Sequence, residues 1–162
     1  MSLELRVETE ELRRAIAAGP KVLEKHMDLA IGRVVREMSR SAIRKAPKAT
    51  SQLTDSIMFA QASPYEGLVF AGTEYARMVE EGTDAGGFPP EQTILDWIKD
   101  ARIKPDDPSM DQEDLAYVMA RSIALKGTPA QPFMAPAFED NKARAERRIN
   151  RAIRAALREM SR

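Results

Sequence analysis

The chain begins with an alternation of apolar and polar positions, which predicts a short β-strand. Leu3, Leu5 and Val7 alternate with charged residues, as expected for a strand with one buried face. Thr9 then suits the N-cap of a short helix, which the Gly19-Pro20 pair interrupts.

The strongest periodic pattern predicts a long amphipathic helix from about residue 21 to residue 45. Apolar residues recur there at steps of three and four, with charged residues between them, so one side of the helix is buried. The apolar positions are Leu23, Met27, Ala30, Ile31, Val34, Val35, Met38 and Ala42. Such a helix spans roughly 40 Å. It should end at Ala46-Pro47, because the residue before a proline disfavours helical torsion angles.

A β-hairpin follows in the pattern. Residues 48–55 are polar and predict a turn-like connection, and residues 56–62 and 68–71 are two short strand candidates. Between these candidates lies SPYEG, with proline and glycine at turn positions. Together with the N-terminal strand, the hairpin predicts a small antiparallel sheet of about three strands, with the long helix covering one face.

The second half of the chain predicts helices separated by rigid loops. A short helix opens at Pro90-Glu91 and carries the single tryptophan, Trp97, which we expect in the core. Asp111 suits the N-cap of the next helix, and Gly127 its end. Three prolines between residues 128 and 136 predict an extended arm over residues 127–138. An amphipathic helix over residues 139–162 completes a single α+β domain that spans residues 1–162.

Composition adds a charge asymmetry to this outline. The 25 basic and 25 acidic residues balance, but residues 1–50 and 139–162 are basic and residues 74–114 are strongly acidic. Two interpretations stay open: solvated faces of a soluble protein, or head-to-tail pairing of copies, positive face to negative face. The chain has no cysteine and no apolar run of about 20 residues, and its acidic first residues lead us to expect no secretory leader. We therefore expect a protein of the cytoplasm, or of a particle assembled there, with no membrane partner.

Residues with catalytic chemistry do not form a known motif. The single histidine, His26, lies two positions from Glu24 and Asp28, and residues two apart diverge on a helix. The chain has no nucleophile elbow, phosphate-binding loop or EF-hand loop, although Asp106, Asp107 and Asp111 are close in sequence. We expect no enzymatic activity, cofactor or metal. An enzyme with two distant carboxylates that meet in a cleft is the alternative.

The C-terminal helix raises a nucleic-acid alternative. It carries a series of arginines that could follow a phosphate backbone, namely Arg147, Arg148, Arg151, Arg154 and Arg158. Acidic residues interleave with them and no aromatic side chain is available for stacking. An acidic protein partner, such as the middle segment of a neighbouring copy, is therefore the preferred interpretation.

Two sequence motifs combine glycine or proline residues with apolar and aromatic ones. Residues 75–83 are YARMVEEGT, and residues 126–138 are KGTPAQPFMAPAF. Each places rigid turn residues beside aromatic or apolar anchors, which builds a shaped surface rather than a reacting centre. Phe88 lies in the DAGGFPP loop after the first motif, where both packing on the core and contact with a partner stay open.

The order of these motifs resembles the tail-completion or head–tail joining proteins of tailed bacteriophages, a group that includes minor tail protein Z-like proteins. The family pattern is K-x-x-P-x-x-T-G-x-L-x-x-S-I, then Y-A-x-x-V-E-x-G-T, then P-x-P-F-L-x-P-A. This chain has KAPKATSQLTDSI at residues 45–57 and then the two motifs above, so the resemblance covers most of its length. It departs from the pattern with Ser51 in place of glycine, Met134 in place of leucine, and a longer stretch over residues 84–114.

The resemblance implies a structural virion protein at the neck or the top of the tail, assembled in the host cytoplasm. It implies a ring-like homo-oligomer, with sixfold symmetry expected, that contacts terminator, tail tube or head-closure and connector proteins and lies near packaged DNA. The assembly candidates are Tyr75, Glu80, Gly82, Thr83, Phe88, Gly127, Pro132, Phe133, Pro136, Arg147, Arg151, Arg154 and Arg158. For Tyr75, Phe133, Gly82 and the prolines, a role within their own domain stays open beside contact between copies.

Overall fold

Six helices and three strands succeed one another in the part of the chain that the structure describes. The structure is a computed structural model, and it describes residues 2–6, 19–48 and 51–160. The strands are β1 (Ser2–Arg6), β2 (Ile57–Ser63) and β3 (Glu66–Ala71). The helices are α1 (Pro20–Lys45), α2 (Ser51–Asp55), α3 (Ala76–Glu81), α4 (Glu91–Asp100), α5 (Gln112–Lys126) and α6 (Met134–Met160). The helix predicted after Thr9 lies outside the described residues.

The predicted sheet is confirmed. It has three antiparallel strands in the order β1-β3-β2, so the N-terminal strand pairs with the second strand of the hairpin. Leu3 lies opposite Val69 on one side, and Phe59 lies opposite Val69 on the other. A register shift between Gln61 and Ser63 lets the hairpin close. The central strand alternates buried and half-buried residues, since α1 covers one face of the sheet.

The long helix α1 is also confirmed, and its partner is the C-terminal helix. Pro20 occupies the first turn of α1, and Ala46 leaves the helical region at its end, as expected from Pro47. The apolar stripe of α1 packs against the sheet and along α6, where Ile149 and Ile153 are buried. These elements form the main apolar core.

Two predicted boundaries are wrong. The connection over residues 48–55 contains the short helix α2, because Leu53 turns inward and is buried while its polar neighbours face solvent. The extended arm predicted for residues 127–138 is helical from Met134, so α6 begins five residues before the predicted residue 139. Pro136 is tolerated because it lies in the first turn, where a backbone N–H has no partner within the helix.

Helices α4 and α5 form a hairpin with its own small apolar cluster. Leu95 and Ile98 of α4 pack with Ala116 of α5, and Trp97 is half-buried at the edge of this cluster. Asp111 caps α5 as predicted: it accepts a hydrogen bond from the Asp114 backbone N–H, in a reciprocal capping box. The hairpin is therefore a second packing unit attached to the main core.

Candidate functional site

The two sequence motifs meet at the N-terminus of α6. The buried Glu80 carboxylate accepts hydrogen bonds from three consecutive backbone N–H groups, those of Phe133 (2.7 Å), Met134 (2.9 Å) and Ala135 (2.8 Å). Its side chain is 7% exposed, and Phe133 and Met134 are fully buried. A helix leaves its first four N–H groups without a partner, and the fourth position here is Pro136, which has no N–H. Glu80 therefore satisfies every free donor at this helix end and places a negative charge at the positive end of the helix dipole.

The two Gly-Thr pairs lie face to face. Thr83 and Thr128 exchange both backbone hydrogen bonds, at 3.0 and 3.1 Å, and their hydroxyl groups are 3.0 Å apart. Gly82 and Gly127 precede them with φ of 74° and 71° and nearly extended ψ, a combination that glycine alone adopts readily. We call this arrangement the Gly-Thr bridge. The α4–α5 hairpin leaves and rejoins the main body through it.

The segment between the Gly-Thr bridge and α6 packs against the body of its own subunit. The Gln131 backbone N–H donates to the Val79 carbonyl at 2.8 Å, and Phe133 enters the main core. Tyr75 is half-buried against that core, Pro136 is half-buried and Pro132 is exposed. The structure thus brings Tyr75, Glu80, Gly82, Thr83, Gly127 and Phe133, all predicted assembly residues, into one intramolecular unit.

The hairpin carries an exposed apolar face and an acidic end. The Phe88 ring packs on the Tyr117 ring with centroids 6.3 Å apart, and both side chains are about half exposed. Val118 and Leu125 are exposed on the same helix, α5. Residues 105–114, here called the acidic turn, contain five carboxylates and no lysine or arginine. All five are exposed: Asp106, Asp107, Asp111, Glu113 and Asp114.

Asp107 has a fixed conformation within the acidic turn. It accepts hydrogen bonds from the Ser109 backbone N–H at 2.9 Å and the Ser109 hydroxyl at 2.7 Å. These bonds, the backbone one first, lower the pKa of Asp107 below its ordinary value. The turn therefore keeps this negative charge to a lower pH than an ordinary aspartate does.

A cleft of about 320 Å³ opens between α1 and α6, and we call it the basic cleft. Its lining residues are His26, Leu29, Ala30, Arg33, Arg144, Arg148, Arg151 and Ala152. Two of its nitrogen-bearing side chains have a carboxylate partner: Arg148 Nη2 lies 2.6 Å from Glu37 Oε1, and His26 Nε2 lies 2.8 Å from Glu159 Oε2. Arg33 and Arg144 are exposed and form no ion pair with the described residues.

The predicted arginines lie along one exposed side of α6, at steps of four, three and four residues, and the cleft beside them was not predicted. Arg147, Arg151, Arg154 and Arg158 are all exposed, but only Arg151 lines the cleft. Leu29 is 56% exposed, whereas the other apolar residues of α1 are mostly buried. An apolar residue outside the buried stripe is the local sequence signal that pointed to an open surface on α1. The contact of that surface with α6 depends on residues more than 100 positions apart, which periodicity does not show.

The described ranges 2–6, 19–48 and 51–160 lack the side-chain groups of a metal site and the helices of a membrane span. These residues contain no group of three histidine, aspartate or glutamate side chains that could hold a metal ion. No helix among them has both the length and the apolar character needed to cross a bilayer. Compared with protein-family models, with curated proteins and with solved structures, the chain matches none.

Proposed function

We propose that this chain is a structural protein of a tailed-phage virion, located at the neck or the top of the tail. There it completes the tail and enables head–tail joining as a ring-forming homo-oligomer, with sixfold symmetry expected. Its partners are terminator, tail tube or head-closure and connector proteins. The observation that carries the proposal is the union of the two motifs on which the resemblance depends. They form one hydrogen-bonded unit around Glu80 and the Gly-Thr bridge.

The distribution of charge supports assembly from identical copies. Helices α1 and α6 contain 14 lysine and arginine residues against seven acidic ones, whereas residues 84–126 contain five against nine. One subunit therefore has a basic body and an acidic projection. Faces of opposite sign on one subunit favour heterologous contacts, which close into a ring when the rotation between copies allows it.

The proposal is tested in particles. A phage or prophage that lacks this gene should accumulate separate heads and tails, and the wild-type chain supplied in trans should restore joined, infectious particles. Electron microscopy counts joined and separate particles, and native mass spectrometry across a salt series follows the oligomer. We expect a closed oligomer that loosens as salt rises, because exposed charges are screened. A chain that is dispensable for infectious particles and binds no tail or neck component would overturn the proposal.

A nucleic-acid-binding module is the second candidate, and the observation that favours it is the exposed series of arginines along one side of α6. It predicts salt-dependent binding of a DNA duplex that is lost when Arg147, Arg151, Arg154 and Arg158 are changed to glutamine. Fluorescence anisotropy measures the binding. A wild-type chain that leaves the duplex unbound at low salt would remove this candidate.

A further inference from the structure

We infer that the basic cleft of one copy is the docking site for the acidic turn of a second copy. The inference rests on the proposed ring assembly and names the surfaces that would form it. It assigns a role to Arg33, Arg144 and Arg151 on one side, and to Asp106 and Glu113 on the other.

The basic cleft has an excess of positive charge. Four arginines from two helices converge on it, and only two carboxylates contact its lining side chains among the described residues, Glu37 on Arg148 and Glu159 on His26. Like charges so placed repel one another unless an anion enters or solvent screens them. Leu29 adds an apolar wall to the cleft. The cleft therefore suits an anionic segment that also carries apolar atoms.

The acidic turn has these properties. Its five carboxylates are exposed, and Pro105 and Pro108 restrict its backbone. The hydrogen bonds from Ser109 hold Asp107 in place, so little conformational freedom remains to be lost on docking. The turn lies at the far end of α5, about 22 Å from Gly127 at 1.5 Å rise per residue. It projects from the molecule, where a neighbouring copy can reach it.

The choice of a second copy over nucleic acid follows from complementarity within one chain. Each subunit carries one basic cleft and one acidic turn, and the whole chain has no net charge. A polyanion such as DNA would be attracted by the cleft but repelled by the hairpin. Association of copies pairs both surfaces. The acidic turn of each copy enters the basic cleft of one neighbour, and its own basic cleft accepts the acidic turn of the other neighbour.

Two charge-reversal variants test the docking. Arg33→Glu/Arg144→Glu changes the cleft and leaves the Arg148–Glu37 pair intact. Asp106→Lys/Glu113→Lys changes the turn and leaves Asp107, Asp111 and Asp114 with their hydrogen bonds. Each variant alone should self-associate at least roughly tenfold more weakly than the wild-type chain. An equimolar mixture should restore the oligomer, because each reversed cleft then meets a reversed turn.

The mixture gives the sharpest readout. With one variant isotopically labelled, native mass spectrometry should find oligomers with equal numbers of the two chains, as an alternating ring requires. Arg40→Glu/Arg44→Glu on α1 and Glu91→Lys/Asp100→Lys on α4 are matched controls. They make the same charge changes at exposed positions outside the cleft and the turn, and should keep wild-type association. Circular dichroism and thermal melting verify that every variant folds.

Several outcomes would overturn the inference. They are a wild-type chain that stays monomeric at high concentration and low salt, reversal variants that associate normally, and a mixture that fails to restore association. Intact association together with loss of DNA-duplex binding in the cleft variant would assign the cleft to nucleic acid. If wild-type protein rescues particles while the reversal variants still associate, the docking inference fails and the proposed function stands. If the wild-type chain is dispensable for particles, the proposed function itself fails.

Discussion

The backbone N–H of Phe133 donates a 2.7 Å hydrogen bond to the buried carboxylate of Glu80, 53 positions earlier in the chain. This bond joins the end of α3 to the beginning of α6. It gives a physical reason for the two motifs to occur in one sequence. Glu80 of the 75–83 motif supplies the hydrogen-bond acceptor that the start of α6, in the 126–138 motif, requires. The Gly-Thr bridge holds the two motifs side by side, because it pairs Thr83 of one with Thr128 of the other.

Replacement of Glu80 by alanine should lower the free energy of unfolding by roughly 2–4 kcal/mol. The change leaves three N–H groups without their acceptor at a helix end whose first residues are buried, and unsatisfied buried donors are costly. Chemical denaturation measures the loss. Glu80→Gln should be intermediate, because the amide keeps one acceptor oxygen but loses the charge.

The neighbouring Glu81 is the matched control for this prediction. It is exposed and pairs only with Arg77, four residues earlier on the same helix, at 2.9 Å. Exposed pairs of this kind contribute less than about 1 kcal/mol. If Glu81→Ala destabilises the chain as much as Glu80→Ala does, the role assigned to Glu80 is wrong.

Alanine at Gly127 or Gly82 should disrupt the Gly-Thr bridge. A Cβ at Gly127 would lie 1.9 Å from the Thr83 carbonyl oxygen, and one at Gly82 would lie 2.6 Å from the Thr128 carbonyl oxygen. Both residues also have positive φ, so we expect losses of about 2–4 kcal/mol, with Gly127→Ala the larger. Gly87→Ala serves as the control, since its Cβ would meet nothing within 4 Å. Equal melting temperatures for Gly127→Ala and Gly87→Ala would contradict the geometry.

Excision of the hairpin should leave the main core folded. Thr83 and Thr128 exchange both backbone hydrogen bonds, as the residues that flank a two-residue β-turn do, so an Asn-Gly link can replace residues 84–127. The main core does not include α4 or α5, and we expect stability within about 1 kcal/mol of the full chain. Calorimetry of the shortened chain checks this. The same link with Thr83→Pro, which removes one N–H donor of the bridge, should be less stable. A shortened chain without a cooperative transition would refute the prediction.

Tyr65 should make stability sensitive to alkaline pH. Burial, and secondarily the charge of Glu24, raise the pKa of the Tyr65 phenol above its ordinary value. The unfolded chain therefore loses this proton first. The stability contribution is complete below about pH 10 and falls as pH rises from there through the higher pKa of the folded state. Unfolding free energies measured on either side of this range should differ less in Tyr65→Phe than in the wild-type chain.

Ultraviolet titration of the phenolate provides an independent check on Tyr65. Tyr65→Phe removes one phenol, so the absorbance change that this variant lacks belongs to Tyr65. In the wild-type chain that change should occur at a pH above the ordinary tyrosine pKa. Glu24→Gln should lower the midpoint by the smaller part of the shift, because burial is the larger cause. A midpoint at the ordinary value in the wild-type chain would show that neither cause operates.

The parts of the fold that could be predicted from sequence are those set by local periodicity and capping. The apolar spacing from Leu23 to Ala42, the turn between β2 and β3, and the cap at Asp111 each depend on residues a few positions apart. The start of α6 could not be predicted in this way. Three prolines nearby suggested an extended arm, whereas the acceptor that stabilises the helix at Met134 comes from Glu80, far away in sequence.

The candidate site shows the same limit. The residues of the two motifs could be recognised as important, but their partners within the chain could not, because Thr83 and Thr128 are 45 positions apart. The basic cleft depends on how α1 and α6 pack. Only that packing brings Arg33 of α1 and Arg144 of α6 into the lining of one cleft. The charge asymmetry was visible in the sequence, yet its division between a body and a projection required the fold.

The Gly-Thr bridge also bears on how such chains could diverge in evolution. Because the backbone leaves and re-enters the main body at one paired position, the segment between Thr83 and Thr128 can lengthen, shorten or be exchanged without moving Glu80 or the start of α6. Descendants of one ancestor could then differ by a whole helical hairpin while keeping the same core. A search pattern for such relatives would hold E-x-G-T and G-T-x-x-x-P-F fixed and leave the interval between them free in length.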